Sequence, residues 1–327
     1  MNQSFTSHEK LRSDYFLRDY INKLGNFNQP FVESAFCVEG YYDNYNYDAA
    51  DLITSASVIA KRRANYNFKK VGGKNIYTYE FVFIPNLGFL GDSLPLLTNC
   101  ELKLNFDRAQ GSAAVMSTTN KAVPFLEIKE CHAVTEWVSS SKLKNYFSGI
   151  DYNPIVYSYD EIEILNKSLP MNETSFRLDN LRGGNIPTYL FAGIIPKEAI
   201  TGDLGLSSTN FAENNVTELN ISLNGRPVTG YPIRIKDGSE TYPLFQFNDT
   251  VGRTYNNKCC AGLKKVTFQS NFIWAHRFEA EETSQGWIGI DIKLSKPFTK
   301  NYVMIVWLVN KMSVSIDKYH SVERLSL

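Results

Sequence analysis

Between Phe176 and Val228 two strand-like runs flank a long polar excursion, and this pattern commits the middle of the chain to a β domain. The first run, Ile186 to Ile195, joins β-branched and aromatic residues and stops at Pro196, which has no N–H to give a sheet ladder. The second, Val216 to Leu223, alternates. Val216, Glu218, Asn220 and Ser222 interleave with Thr217, Leu219, Ile221 and Leu223, which predicts a strand with one polar and one apolar face. Asn224-Gly225 then supplies the two positive φ angles of a tight turn.

Further runs of the same kind lie at residues 77–84, 101–106, 125–138, 155–165, 286–294 and 302–316, with a ninth candidate over 266–278. About eight principal strands between Tyr77 and Ile316 match the strand number of a jelly roll, in which two sheets wrap into a sandwich. The expected fold is therefore an all-β jelly-roll sandwich with a mixed, partly helical N-terminal segment. Helical patterns are too few for βαβ units. The last run, Tyr302 to Ile316, is apolar on both faces over its first half, which places it in the interior of a sheet covered on both sides. The organisation predicted is an N-terminal helix and connector segment over 1–70 and a jelly-roll domain over 71–327. In the first, Ser7 caps a helix that runs to Leu24 before Gly25, and the Tyr/Asn/Asp-rich connector leads to the basic clusters Lys61-Arg62-Arg63 and Lys69-Lys70, read as solvated charge. A short helix is expected over 140–147. The excursions 197–215 and 236–261 are expected to project from one end of the sandwich.

Charge excludes some partners. Lys plus Arg and Asp plus Glu both number 34, so the average surface directs the chain to neither nucleic acid nor an anionic membrane; no sequence-specific nucleic-acid binding is expected. The longest apolar run, Tyr302 to Val309, is too short to span a bilayer. Five cysteines, Cys37, Cys100, Cys131, Cys259 and Cys260, form no CxxC pair, and no cationic, apolar leader opens the sequence, so a reducing compartment is expected. The N-x-S/T triplets at Asn2, Asn166, Asn172, Asn215, Asn220 and Asn248 are then expected to be bare.

No catalytic, cofactor or metal residue is assigned. His8, His132, His276 and His320 are isolated, without HxH or HExxH spacing, and Cys259-Cys260 lacks a second pair. Gly72-Gly73 and Gly183-Gly184 read as turns before strands, outside any phosphate-loop motif. The acidic pairs Asp160-Glu161 and Glu281-Glu282 read as solvated charge at strand ends. Trp137, Trp274, Trp287 and Trp307 are expected mostly in the core. The alternative is a ligand- or glycan-binding jelly roll, which needs at least one of these rings exposed in a groove.

Four blocks, in order, carry a resemblance. They are NYDAADLITS with AKRRANY; CELKLNFDRAQGSAAVM; IPTYLFAGIIPKEAITGD followed by LNISLNGRPV; and IDIKLSKPFTKNYVMIVWLVNKMSVSIDK. Over about 48–318 the chain resembles the double jelly-roll major capsid proteins of Polinton/Maverick-type elements and related eukaryotic DNA viruses. The resemblance places the first block at the connector entering that family's second roll and the last at its final two strands. It implies a structural virion protein, not an enzyme, that self-associates into trimeric, pseudo-hexameric capsomers and a shell, together with other capsid proteins such as a penton protein. It also implies assembly inside the host cell. Because members carry a first roll ahead of these blocks, the chain is expected to be the second roll with its connector, and residues 1–70 to pack on a neighbouring roll or subunit.

Overall fold

The computed structural model describes residues 36–37, 67–78, 115–116, 127–132, 154–201, 203, 206, 211, 215–229, 232–235, 241–254, 272–278, 285–319 and 321–326. Eight antiparallel strands among them build two facing sheets. One contains β5 (Ile155–Leu169), β7 (Tyr189–Pro196), β11 (Ile273–Arg277) and β13 (Tyr302–Ile316); the other contains β6 (Ser175–Asn185), β8 (Val216–Leu223), β10 (Ile233–Arg234) and β12 (Gln285–Leu294). Laterally the first sheet runs β5, β13, β7, β11 and the second β6, β12, β8, β10. Successive strands alternate between sheets over most of this path, and the late strands β12 and β13 insert between early ones. This is the wrapped double Greek key of a jelly roll, so the chain is an all-β jelly-roll sandwich. The strand β14 (Val322–Ser326) continues the first sheet beside the second half of β13, and β9 (Arg226–Pro227) extends β8 past its turn.

β13 is the centre of the first sheet, as its two-faced apolarity predicts. It pairs with β5 along its whole length, with β7 from Tyr302 to Val309, and with β14 from Met312 to Ile316. Its even-numbered residues Met304, Val306 and Leu308 are buried with Leu190, Ile194 and Trp274 on the face toward the other sheet. There they meet Leu219, Ile221, Ile288, Ile290 and Ile292, which are buried on the inner face of the second sheet.

Two strands depart from the sequence expectation. Residues 175–185 were expected to lead into a turn at Gly183-Gly184, but they form β6, with both glycines inside the strand. β6 borders its sheet, so most of its side chains are exposed and alternation is weak. Between Leu178 and Arg182 it also has three residues where β12 has the single Gly289 between Ile290 and Ile288, with Asn180 at φ 52° in the bulge. The two-residue β10 is too short to leave a pattern. Conversely, residues 127–132, expected to be strand, are exposed and carry no regular secondary structure. Among the described residues the eight strands of the roll lie within 155–316, and the expected run at 79–84 lies outside the described residues.

Val216 was placed on the polar face of β8 and is buried instead. The register explains it: Lys293 lies opposite Glu218 and Leu294 opposite Val216, so Thr217 is an extra residue that returns Val216 to the core face. The Asn224-Gly225 turn is as expected, with φ of 53° and 77°.

Outside the roll, β2 (Asn67–Val71) and β3 (Lys74–Thr78) form a hairpin that turns at Gly72-Gly73, and β1 (Phe36–Cys37) pairs in parallel with β4 (Val115–Met116). The expected division at residue 70 falls inside β2. The expected helices over 7–24 and 140–147 and the strand at 101–106 lie outside the described residues.

Candidate assembly surface

β7 and β11 fix where the two excursions leave the roll. Ile273, at the start of β11, lies opposite Gly193, near the end of β7, so the segments that follow β7 and precede β11 emerge at the same end. The expectation of a shared end holds, but these segments do more than project. After the short helix α1 (Lys197–Thr201), Phe211 returns to the first sheet, and its carbonyl accepts the Phe272 N–H at 2.6 Å. The Phe211 ring meets Trp307 edge-on with centroids 5.5 Å apart, above Gly193.

The second excursion contains a helix that sequence reading missed, α2 (Thr241–Thr254). Pro243 sits in its first turn, where a missing N–H costs nothing. Pro243, Phe247 and Thr250 are buried at helical spacing. Phe247 meets Phe191 with ring centroids 6.4 Å apart. The spacing of Pro243, Leu244 and Phe247 was the available signal, masked by the surrounding Gly, Asn and Asp. Because Phe191, Gly193 and Trp307 share the outer face of the first sheet, Phe211 and Phe247 bury that face from outside.

The opposite face of α2 is open. Tyr242 and Phe245 are 49% and 65% exposed, and Gln246 Nε2 donates to the Tyr242 hydroxyl at 2.9 Å. On a helix, residues three apart are neighbours, so these rings make one aromatic patch at the excursion end.

The outer face of the second sheet is charged. Arg177 Nε lies 2.8 Å from Asp179 and 3.9 Å from Asp291, and Lys293 Nζ lies 2.7 Å from Glu218. Asn220 Nδ2 donates to Asp291 at 3.3 Å. The hydrogen bond that Arg177 donates to Asp179, with the charge of that carboxylate, raises the Arg177 pKa, which keeps the guanidinium cationic. Such exposed pairs contribute little stability and keep the face soluble. The exposed side chains, the bulge and the Asn180 turn of β6 also blunt this edge against unselective strand pairing.

Trp274 and Trp307 are buried, and Trp287 is half-buried with its ring 3.5 Å from where a Gly225 Cβ would sit. Trp137 lies outside the described residues. Neither Trp274 nor Trp307 therefore offers the open ring that a glycan-binding groove needs. His132 is exposed, 3.7 Å from Glu130, whereas His276 is enclosed on the inner face of β11. His8, His320, Cys100, Cys259, Cys260 and Glu281-Glu282 lie outside the described residues. Cys131 is an exposed free thiol. Among the described residues no three His, Cys, Asp or Glu converge, and no helix is long and apolar enough to cross a membrane. Asp160 and Glu161, expected at a strand end, lie within β5 and pair with Lys311 and Arg324.

No protein-family model matches the chain. An uncharacterised protein of Caenorhabditis elegans is 28% identical over 102 residues, 31% of this chain and 24% of that protein, so the aligned part spans about a quarter of the relative. Among solved structures, PBCV-1 VP54 fitted into a cryo-EM reconstruction of the virophage Sputnik has a TM-score of 0.35 at 9% identity, over 57% of this chain and 55% of that one. The mavirus major capsid protein has a TM-score of 0.34 at 9% identity, over 58% and 44%. A quasi-atomic model of the PBCV-1 virus capsid has a TM-score of 0.35 at 11% identity, over 57% and 55%. These structure neighbours are viral major capsid proteins; the jelly-roll assignment for this chain rests on the strand order of its two sheets.

Proposed function

We propose that the chain is a structural capsid subunit of the double jelly-roll kind found in Polinton/Maverick-type elements and related viruses, which self-associates into capsomers of a shell. One observation carries this reading. Two of the four blocks that resemble the second roll of that family lie on strands of the described jelly roll: 186–203 with 219–228 on β7, α1, β8 and its turn, and 290–318 on the end of β12 and the whole of β13. The function is geometric, with no turnover.

In this reading the virion is the site of action, the host cell the site of assembly, and a penton protein a further partner. The outer face of the first sheet is already occupied by Phe211 and Phe247, so association uses the remaining surfaces. These are the exposed strand borders, the charged outer face of the second sheet, and the Tyr242–Phe245 patch, whose exposed aromatic area suits an interface. Of the N-terminal segment 1–70, the part ahead of β2 contributes by packing on a neighbouring subunit.

Analytical ultracentrifugation and electron microscopy of the purified full chain test the proposal. Trimers, larger closed rings or shells are expected, since closed symmetric assemblies are the usual product of self-association. Deletion of residues 1–47 is expected to weaken association more than it lowers the melting temperature of the roll. A sharply monomeric full chain at high micromolar concentration overturns the capsid reading and favours an isolated binding module.

A further inference from the structure

Between Asp51 and Glu80 the sequence contains six cations, Lys61, Arg62, Arg63, Lys69, Lys70 and Lys74, and no acid, although the chain as a whole balances 34 cations with 34 acids. Tyr66, Phe68, Tyr77 and Tyr79 are interleaved with them. The structure describes the hairpin β2–β3 within this stretch. It turns through Gly72 and Gly73 at φ 56° and 78°, and a Cβ added at either would meet nothing within 4 Å, so the tip of the ribbon stands clear.

Lys69, Lys70 and Val71 are exposed on β2, and Ile76 is exposed on β3. Lys69 lies opposite Ile76 and Lys70 opposite Asn75, and successive strand residues point to opposite faces, so cations leave the ribbon on both sides. The roll treats its cations differently: Arg177, Arg182, Lys293 and Lys311 each lie against a carboxylate. The charge of the hairpin has no such neighbour in its own 28-residue stretch.

We propose that this hairpin is a nucleic-acid-binding arm that contacts phosphates without reading sequence. The major groove of B-DNA admits a two-stranded β-ribbon. Cations on both faces of such a ribbon reach the phosphates of both groove walls. An anionic bilayer, being planar, meets one face of a ribbon and would leave Lys70 unused on the far side, whereas the two walls of a groove take the Lys69 and Lys70 cations from both faces. The proposal is independent of the capsid reading, because it requires no self-association.

The test is fluorescence anisotropy of a labelled 20-base-pair DNA duplex with the full chain across a sodium chloride series, beside sedimentation with phosphatidylserine vesicles. Duplex binding is expected, with log K falling against log salt at a slope of about −0.9 for each phosphate contacted. The variant Lys69→Glu/Lys70→Glu/Lys74→Glu is expected to bind at least tenfold more weakly and with a shallower slope. Lys69→Gln/Lys70→Gln/Lys74→Gln should fall between it and the parent, and Lys318→Glu, on the turn after β13, should match the parent. Circular dichroism melts that coincide with the parent's establish that both triple variants are folded. Duplex binding unaffected by the triple charge reversal, absence of salt-dependent duplex binding, or binding to vesicles with none to duplex would each overturn the proposal. Particle formation, read separately by electron microscopy, has no bearing on which of these results is obtained.

Discussion

Gly193 of β7 is the seat of Phe211: a Cβ built on the glycine would lie 2.5 Å from Phe211 Cδ1, well inside contact distance. The absence of a side chain on one strand thus lets the first excursion lie against the outer face of the sheet. Gly193→Ala is expected to displace the ring and cost about 1–3 kcal/mol, the usual penalty for overpacking. In a Phe211→Ala background the same substitution should cost much less, because the two residues act on one contact. Equal costs in the two backgrounds, measured by urea denaturation, would separate the glycine from the excursion.

Trp307 lies on the same face, 2% exposed, and its indole Nε1 is buried with no acceptor among the described residues. Trp307→Ala should cost about 3–5 kcal/mol by removing a large core side chain. Trp307→Phe should recover much of that loss, since it keeps an aromatic body and removes a donor that has no partner. A denaturant midpoint unchanged by the alanine substitution would contradict the core assignment.

Arg182 joins the two sheets. From β6 its Nε reaches Glu163 of β5 at 3.2 Å, and its Nη1 donates to Asn310 of β13 at 3.0 Å. These groups are partly solvated, so the expected loss in Arg182→Ala is modest, about 1 kcal/mol. Asn310→Ala should lose less than that. A cycle over Arg182 and Glu163 that gives no coupling energy would reduce the bridge to a surface contact.

His276 sets an acid limit on stability. It packs edge-on against Phe278, with ring centroids 4.9 Å apart, and burial lowers its pKa from 6.5 to about 4. Above pH 6.5 both folded and unfolded forms are neutral and the residue contributes no pH dependence. Between pH 6.5 and about 4 only the unfolded form takes up the proton, so stability falls with pH. The loss approaches about 3 kcal/mol and levels off below the folded pKa. Urea midpoints from pH 7.5 to 4.5 for the parent and His276→Leu should diverge in slope through this window. Parallel profiles would remove His276 as the cause.

What was readable in advance follows from how strands write themselves into sequence. β13 announces its central position because both faces are apolar, and β8 announces its turn because Asn224-Gly225 suits two positive φ angles. β6 was hidden since it borders a sheet and carries a bulge at Asn180, which removes both the apolar content and the period of two. Thr217 hid the true face of Val216 in the same way. The helix α2 was obscured by the polar residues around it. The aromatic patch of Tyr242 and Phe245 depends on that helix, so it became visible only with the fold. The closeness of Phe211 to Trp307 spans 96 positions and leaves no local trace.

The central placement of β12 and β13 also orders events in time. β5 and β6 find their described ladder partners only in β13 and β12, which follow a hundred or more residues later. Such long-range pairing is slow, and exposed strand edges in the interval invite aggregation. Neither sheet is complete until β12 and β13 have left the ribosome. A prematurely terminated product lacking these last two long strands therefore has no partner for either early strand and cannot complete the sandwich.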